Sequence, residues 1–254
     1  MHTPWPYPRW IAHRGAGTLA PENTLAAFRL GAQHGYRMFE CDAKLSHDGV
    51  PFLMHDATLT RTTNAALVLG AGASTTGGDH PWGQLAQLDA GRWHGRQYAG
   101  EPLPLLSNIA CFCLANRYFL NIEIKPTPGQ EEITGRVVGE HAAQLWHGQA
   151  VPPLLSSFQP EALAGAQATA PHIPRALLVD TWWDGCLDMA RQRGCVALVC
   201  NHALWDAALV RQVHGLGLRC LSYTVNDEWA AQRLIALGTD GIITDRVDLF
   251  SPAD

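Results

Sequence analysis

The chain has 254 residues, of which 47% are hydrophobic and 16% are charged, and its formal net charge is −5 at pH 7. This apolar fraction excludes an intrinsically disordered chain, and the length is sufficient for one well-buried core. The negative balance excludes a global basic field that would attract nucleic acid or an anionic membrane, so nearby cations must meet any anionic ligand.

Residues 1–8 lack the charged and apolar regions of a signal peptide, and no stretch approaches the ~20 apolar residues of a membrane-spanning helix. The seven cysteines include no Cys-x-x-Cys pair, so the sequence indicates neither a zinc site nor a disulfide framework. We therefore expect a reduced, cytoplasmic protein without stable membrane insertion.

The first elements alternate short apolar runs with one amphipathic stretch. They are predicted to be a strand over 10–13, a helix over 25–35, a strand over 38–45 and a short strand over 50–54. The pair Asp48-Gly49 between the last two strands is a tight-turn signal. The last strand is therefore expected to return beside the one before it.

Residues 57–105 interrupt this alternation. Residues 58–64 are polar, residues 65–78 are small and glycine-rich and are expected to form a flexible loop, and residues 82–88 predict one short helix. Because the segment has too little apolar periodicity for its own core, we interpret it as an insertion within one domain that spans residues 1–254.

The alternation becomes regular from Ser107, which is the expected N-cap of a helix to Asn116. The remaining strands are predicted over 118–125, 154–158, 175–179, 196–200, 219–225 and 241–244, and the helices over 130–146, 160–168, 183–193, 204–214 and 227–237, with a short closing helix. Short strands that alternate with longer amphipathic helices predict parallel βα units. Eight units in this length predict an α/β fold, a closed (β/α)8 TIM barrel with a small insertion after the second strand.

Titratable residues stand at the ends of the first strands, where such barrels place their active sites. His13 ends the first strand and His55 ends the partner strand, while Glu40 and Asp42 lie two apart and share one strand face. Two adjacent acids persist only if a cation neutralises them or one holds a proton. A single histidine or Glu-x-Asp pair is more often structural, but their grouping at successive strand ends favours a catalytic site.

The next strand alternates polar and apolar residues. Asn121, Glu123 and Lys125 share one face, and Ile122 and Ile124 are expected to pack outward against helices. Polar side chains inside a barrel are costly unless they are paired or bind something. An ion pair between Glu123 and Lys125 would account for this strand taken alone.

Together, Glu40, Asp42 and Glu123 form a set of three carboxylates without cysteine, which favours a hard divalent cation, Mg²⁺ or Ca²⁺. The sequence does not decide between these two ions. Arg14 and Lys125 suit an anionic tetrahedral group such as phosphate. The two histidines can divide proton transfer, because their pKa lies near neutrality. This combination indicates phosphodiester cleavage.

At this point the motifs resemble one family, the glycerophosphodiester phosphodiesterases, whose barrels are similar to those of phosphoinositide-specific phospholipases. The resemblance runs from about residue 10 to 250 and rests on these motifs: His13-Arg14-Gly15, Pro21-Glu22-Asn23-Thr24, Glu40-Cys41-Asp42, His55-Asp56, Leu88-Asp89-Ala90-Gly91, Asn121-Ile122-Glu123-Ile124-Lys125, Ser156-Ser157-Phe158 and Asp240-Gly241-Ile242-Ile243-Thr244-Asp245. It implies a TIM barrel with a small insertion after the second histidine. It also implies hydrolysis of glycerophosphodiesters, such as glycerophosphocholine, to sn-glycerol 3-phosphate and an alcohol.

The resemblance further implies the roles of eight residues. Glu40, Asp42 and Glu123 would hold one divalent metal ion, His13 and His55 would be the catalytic acid–base pair, and Arg14, Lys125 and Tyr223 would contact substrate. Tyr223 stands where the family often has tryptophan, and its hydroxyl can alter how the leaving group is received. Glu22 has two open interpretations, a ligand contact or a carboxylate that complements a helix N-terminus. The attacking group, a substrate hydroxyl or water, and the role of each histidine also stay open.

Two alternatives remain. The first is a lysophospholipase D that acts on lipid-tailed substrates, for which Trp82, Trp93, Trp182 and Trp183 would supply an apolar mouth if they do not simply pack. The second is a non-catalytic barrel that binds phosphoesters, which would be expected to lack some histidines or carboxylates. We expect a small-molecule glycerophosphodiester as partner and no nucleic acid, and the sequence does not indicate an oligomeric state.

Overall fold

The computed structural model describes residues 5–70 and 72–252; the first four residues of the amino-terminal stretch discussed above, residue 71 and residues 253–254 lie outside this description. The strands are β1 Trp10–Ala12, β2 Met38–Leu45, β3 Pro51–Leu53, β4 Phe119–Ile124, β5 Leu154–Ser157, β6 Arg175–Val179, β7 Cys195–Asn201, β8 Arg219–Tyr223 and β9 Gly241–Thr244. The α-helices are α1 Leu25–Gln33, α2 Ala65–Val68, α3 Trp82–Leu85, α4 Leu106–Asn116, α5 Glu131–Leu145, α6 Pro160–Thr169, α7 Cys186–Gln192, α8 Ala207–Gly215 and α9 Glu228–Leu237. No helix among residues 5–70 and 72–252 is long and apolar enough to cross a membrane.

Eight of the strands close into a parallel barrel. Their order is β1, β2, β4, β5, β6, β7, β8 and β9, and β9 pairs again with β1. The exception is β3, which pairs antiparallel with the end of β2 through Ala43 and Leu53. The predicted (β/α)8 TIM barrel and the predicted partner strand are therefore confirmed.

Two apolar layers hold the barrel together. Outward side chains, including Ile122 and Ile124, pack beneath the helices as predicted. Inward side chains fill the barrel, and Tyr7 lies among them with its hydroxyl donating to the Pro152 carbonyl (3.0 Å). The inward cluster consists of Tyr7, Ile11, Met38, Leu154, Ala176, Leu178, Ala197, Val199, Leu221 and Ile243. The inward-pointing polar residues of β2 and β4, by contrast, lie toward the carboxyl-terminal mouth, where such barrels place their active sites.

Residues 57–105 contain more regular structure than the sequence indicated. The glycine-rich stretch forms α2 and a 3₁₀ helix at Gly77–Asp79, and the predicted short helix is only the four-residue α3. Apolar residues of the segment pack together with two residues that precede it into one small cluster: Phe52, Met54, Leu59, Ala65, Leu85, Leu88, Ala90 and Leu103. These residues come from separate short stretches, so no hydrophobic periodicity along the sequence predicted the cluster.

Several predicted helix starts are wrong. The helix α4 begins one residue before Ser107, so Ser107 lies in its first turn and no side chain caps it. The helix α7 begins only after Gly185, whose φ of +90° is a left-handed conformation that the helix cannot include. The helix α8 begins after Asp206, whose side chain caps it by accepting a hydrogen bond from the Leu209 N–H (2.7 Å).

The predicted closing helix is not found in the described part of the chain, which ends at residue 252. After β9, the N–H groups of Leu249 and Phe250 both donate to the Arg246 carbonyl and form a single turn. The turn does not propagate, because the Phe250 ring stacks on Trp10 at 4.6 Å between centroids and proline follows at position 252.

Candidate active site

The register between β2 and β4 brings carboxylates together. Parallel pairing places Glu40 beside Asn121 and Asp42 beside Glu123. Because paired residues of neighbouring strands point to the same face, all three acids point into the mouth of the barrel. One oxygen of each carboxylate lies within 4.8 Å of the other two, and all three side chains are buried.

This proximity displaces the pKa values of the acids. Burial and the neighbouring Asp42 charge raise the pKa of Glu40 to about 8 and also raise the pKa of Glu123. Burial alone would raise the pKa of Asp42 too, but the Lys125 ammonium and the Arg14 guanidinium hold it well below its usual range. Without further positive charge, burial and the Asp42 charge therefore favour the protonated form of Glu40.

Among residues 5–70 and 72–252, two other groups of metal-ligating side chains reach the same proximity: His214–Cys220–Asp240 and Glu22–His55–Asp56. In both groups, arginine guanidinium groups donate to the carboxylate oxygens. The Glu40–Asp42–Glu123 cluster is different. Its Glu40 Oε1 is buried without a hydrogen-bond partner, and its Asp42 Oδ1 has the Lys125 ammonium at 3.2 Å without hydrogen-bond geometry. Buried oxygens without donors fit a cation, so Glu40, Asp42 and Glu123 are the best candidate metal ligands.

Arg14 and Asn23, which both follow β1, have left-handed backbone conformations and contact the carboxylates of Glu40 and Asp42. Arg14 (φ +50°) donates its main-chain N–H to Glu40 Oε2 (3.0 Å), and its Nε lies 3.3 Å from Asp42 Oδ2. Asn23 (φ +62°) donates Nδ2 to Asp42 Oδ2 (2.8 Å) and accepts from the Asp42 main-chain N–H (3.0 Å). Such conformations cost of order 1 kcal/mol each outside glycine, so backbone strain is concentrated here.

Lys125 contacts the carboxylates of β4 and β2. Its ammonium donates to Glu123 Oε1 (2.9 Å) and lies 3.2 Å from Asp42 Oδ1. The buried Lys44 donates to the main-chain carbonyl of Lys125 (3.1 Å) and fixes the position of that backbone. Burial lowers the pKa of Lys44 to about 8. The ion pair between Glu123 and Lys125 that the sequence left open is thus present, as one edge of a larger cluster.

His13 lies directly after β1 and is held by Asp245. A carboxylate only accepts, so the 2.6 Å contact means that Nδ1 of His13 donates to Asp245 Oδ1, and Nε2 lies 3.8 Å from Glu40. Asn226 fixes Asp245 by donating to its Oδ2 (2.9 Å) and accepting from its main-chain N–H (2.9 Å). Burial would lower the pKa of His13, but Asp245 and Glu40 raise it above its usual value. Gly17 (φ +56°) permits this contact, because a side chain there would collide with the Asp245 main chain.

His55 also has a carboxylate partner. Its Nδ1 donates to Asp56 Oδ1 (2.8 Å). Burial lowers the pKa of His55, and the charges of Arg14 and Lys125 act in the same direction against the opposing charge of Asp42. The two imidazoles therefore have pKa values displaced in opposite directions, an arrangement that suits one proton donor and one proton acceptor.

Arg61 of the insertion connects the two sides of the mouth. Its guanidinium donates to Asp56 (2.6 and 2.9 Å) and to Glu22 (2.9 and 2.7 Å). Glu22 in turn accepts from Arg14 Nη1 (3.0 Å), while Asp56 holds His55. The observed partners of Glu22 are thus two arginines. The planar guanidinium of Arg61 therefore fixes two carboxylates, one of which orients Arg14 and the other His55.

A cavity of about 160 Å³ opens at this mouth. Seven of the eight predicted site residues line it, and Asp42 lies behind them in contact with Arg14 and Lys125. These seven are His13, Arg14, Glu40, His55, Glu123, Lys125 and Tyr223. The opposite wall is apolar, where Phe158 packs edge-on against the ring of Tyr223 (5.7 Å between centroids).

The sequence is similar to proteins with the same motifs. The model of the glycerophosphoryl diester phosphodiesterase family matches residues 13–249. The chain belongs to this family. The prediction of the family, and of an enzyme of the phosphoric diester hydrolase class, is thereby confirmed.

Three relatives illustrate the range of this glycerophosphoryl diester phosphodiesterase family. A glycerophosphodiester phosphodiesterase of Caldanaerobacter subterraneus subsp. tengcongensis is 32% identical over 247 residues, which cover 92% of this chain and 93% of the relative. The solved structure of an Oleispira antarctica phosphodiesterase in complex with the product sn-glycerol-3-phosphate is 33% identical with a TM-score of 0.86, covering 98% of this chain and 97% of that chain. A Mus musculus glycerophosphoinositol inositolphosphodiesterase is 50% identical over 88 residues, 35% of this chain and 16% of that protein.

Three supporting residues were given no role from the sequence: Asn23 and Asp245, which appeared only within motifs, and Arg61, which was not named. Asp245 directly follows the last strand, so the strand-end rule that selected His13 could have selected it as well. A role for Asn23 could have been inferred from the tolerance of asparagine for a left-handed conformation. Arg61 lies in a polar stretch of the insertion, and nothing in its surroundings distinguished it from a solvated surface arginine.

We predict that Asp245→Asn lowers kcat by about 10²-fold, because the amide can donate to His13 and favour the wrong tautomer. Asp245 raises the pKa of His13, so its replacement lowers that pKa. The limb of the kcat–pH profile that reports His13 should therefore move to lower pH. Asp248→Asn, which alters an exposed surface ion pair with Arg246, is the control. An unchanged profile for Asp245→Asn would contradict this role.

We predict that Arg61→Ala lowers kcat/KM by about tenfold or more while the melting temperature changes little, because Arg61 is 44% exposed and orients rather than stabilises. Arg61→Lys should be nearly as impaired, since an ammonium cannot bridge two carboxylates in the same plane. Added guanidinium ion should restore part of the activity of Arg61→Ala. The exposed Arg96 in the same insertion supplies the control Arg96→Ala. Wild-type kcat/KM in Arg61→Ala would show that the bridge is unimportant.

Proposed function

We propose that this protein hydrolyses glycerophosphodiesters to sn-glycerol 3-phosphate and an alcohol, in a reaction that requires one bound divalent cation, Mg²⁺ or Ca²⁺. The observation that carries the proposal is the buried carboxylate cluster with donor-free oxygens, placed beside two histidines that carboxylates hold. The similar Oleispira antarctica phosphodiesterase was solved with the product sn-glycerol-3-phosphate, which supports this choice of product.

Glu40, Asp42 and Glu123 would hold the cation, because three oxygen ligands without sulfur suit these hard ions. When bound, such an ion polarises a phosphoryl oxygen and offsets the charge that develops there. It would also favour the ionised form of Glu40, whose pKa burial and Asp42 otherwise raise to about 8.

Arg14 and Lys125 would bind the phosphoryl oxygens. Both line the cavity, and each already contacts Asp42. A guanidinium has five N–H donors and an ammonium has three, so both retain donors for an anion. Their existing carboxylate contacts hold the two side chains in position before substrate binds.

His13 and His55 would transfer the protons. Because each Nδ1–H is engaged by a carboxylate, each ring has Nε2 available for the reaction. One imidazole takes the proton of the attacking hydroxyl. The other gives a proton to the alcohol oxygen as its bond to phosphorus breaks. If the attacker is water, the bond from phosphorus to the alcohol breaks and sn-glycerol 3-phosphate forms directly. If the attacker is a hydroxyl of the glycerol moiety, a cyclic phosphate forms first, and water must then open it to give sn-glycerol 3-phosphate.

The test is release of sn-glycerol 3-phosphate from glycerophosphocholine by chelator-treated protein with added Mg²⁺, added Ca²⁺ or no metal. We expect release only with a divalent cation, and the two ions are ranked in the same experiment. Release that is equally fast in chelator would contradict metal dependence. No release with either ion, from folded protein, would contradict the proposed reaction.

The same assay separates catalysis from binding alone. His55→Ala should lower kcat by ~10²-fold or more while the protein stays folded and still binds metal. His214→Ala is a matched control, since this half-buried histidine also pairs with an aspartate, at Asp240. A normal kcat in His55→Ala would remove that histidine from the mechanism.

The alternative of a lipid-tailed substrate receives limited support. Trp82 packs against the cluster of the insertion and Trp182 packs against the main core, so neither is free to form an apolar mouth. Trp93 and Trp183 are exposed, at 41% and 40% of their surface. A lysophosphatidylcholine turnover above that of glycerophosphocholine would favour this alternative.

A further inference from the structure

Charge is divided unevenly around the mouth of the barrel. The loops after β1, β3 and β4 carry Arg14, Arg61 and Lys125. The loops after β5, β6, β7 and β8 contain no lysine or arginine: residues 158–159, 180–185, 202–206 and 224–227. The side of the mouth away from the phosphate-binding cations therefore offers no cationic side chain from its own loops.

These four loops contain four aspartates: Asp180, Asp184, Asp206 and Asp227. Asp206 and Asp227 cap α8 and α9, so helix N–H groups engage their carboxylates. Asp180 is different, because it accepts a hydrogen bond from the hydroxyl of Tyr223 (3.2 Å), which lines the cavity. Its carboxylate therefore contacts a side chain of the cavity wall instead of a helix end.

Three successive strands fix the position of Asp180. It directly follows β6, and its Oδ1 accepts from Asn201 at the end of β7 (3.2 Å) and from Tyr223 at the end of β8 (3.2 Å). Both donors go to the same oxygen, so Oδ2 has no partner within residues 5–70 and 72–252. Because Asp180 is exposed, this second oxygen remains accessible as a hydrogen-bond acceptor.

The cavity wall next to Asp180 contains two aromatic rings. Phe158 and Tyr223 both line the cavity and pack edge to face at 5.7 Å. Phe158 remains 37% exposed. Aromatic faces attract cations, and an ammonium group can pass over such a ring toward a carboxylate.

We propose that Phe158, Tyr223 and Asp180 form a subsite that receives the alcohol half of the substrate and selects an alcohol that carries an ammonium group. This inference rests on the proposed function, because a phosphoryl group held by Arg14 and Lys125 directs the alcohol toward the opposite wall. An ammonium gains both the ring contact and the attraction of Asp180, whereas a neutral polyol gains neither.

The experiment compares two substrates of the same shape. Glycerophosphocholine carries a quaternary ammonium, and its 3,3-dimethylbutyl analogue replaces the nitrogen by carbon and is neutral. We expect wild-type protein to show kcat/KM about fivefold higher for the choline ester, a size set by one exposed charge and one cation–aromatic contact. A ratio near one would overturn the proposal.

Asp180→Asn should reduce this ratio to below about twofold, because it removes the charge and preserves the acceptor oxygen. Asp184→Asn, on the same loop, makes the same charge change at a residue outside the proposed subsite and should leave the ratio unchanged. An equal fall in both variants would mean a general field instead of this subsite and would overturn the proposal, as would an unchanged ratio in Asp180→Asn.

A second readout needs no variant. Raising the salt concentration from about 0.05 M to about 0.5 M should lower the ratio in wild-type protein, because Asp180 is exposed and its field is screened. A salt-independent ratio would count against a role for Asp180. The outcomes stay separate from those of the proposed function: hydrolysis of neither ester contradicts the reaction, whereas equal hydrolysis of both contradicts only the subsite.

Discussion

The close approach of three carboxylates at the mouth of the barrel is the constraint on which the site depends. Glu40, Asp42 and Glu123 cannot all be ionised in a buried position without compensating positive charge. Arg14 and Lys125 stabilise Asp42, but the pKa of Glu40 stays raised to about 8. The strand register that creates this imbalance also makes the barrel mouth suited to a divalent cation.

The groups around the cluster are held by further carboxylates. Asp245 holds His13, Asp56 holds His55, and the guanidinium of Arg61 joins Asp56 to the carboxylate that orients Arg14. The insertion, which supplies Arg61, is therefore part of the site and not only a cover. Orientation by a network of this kind lowers the cost of arranging the reacting groups when substrate binds.

Much of this could be predicted from the sequence, for identifiable reasons. The alternation of strand and helix patterns predicted the barrel. The period of two along β2 and β4 predicted that Glu40, Asp42 and Glu123 point inward. The insertion could not be predicted in the same way, because its apolar cluster draws single residues from separate short turns. Arg61 and Asp180 were missed for a related reason: their partners are distant in sequence, so only the closed barrel brings them together.

The carboxylate cluster is tested most directly by a calorimetric titration of metal-free protein with Mg²⁺ and Ca²⁺, for wild type and for Glu123→Gln. We expect one ion per chain in wild type and an affinity at least about tenfold weaker in Glu123→Gln, which removes a ligand charge. Glu140→Gln, at an exposed position on α5, should bind like wild type. Absence of binding to wild type, or an unchanged affinity in Glu123→Gln, would contradict the assignment of the carboxylate cluster as the metal site.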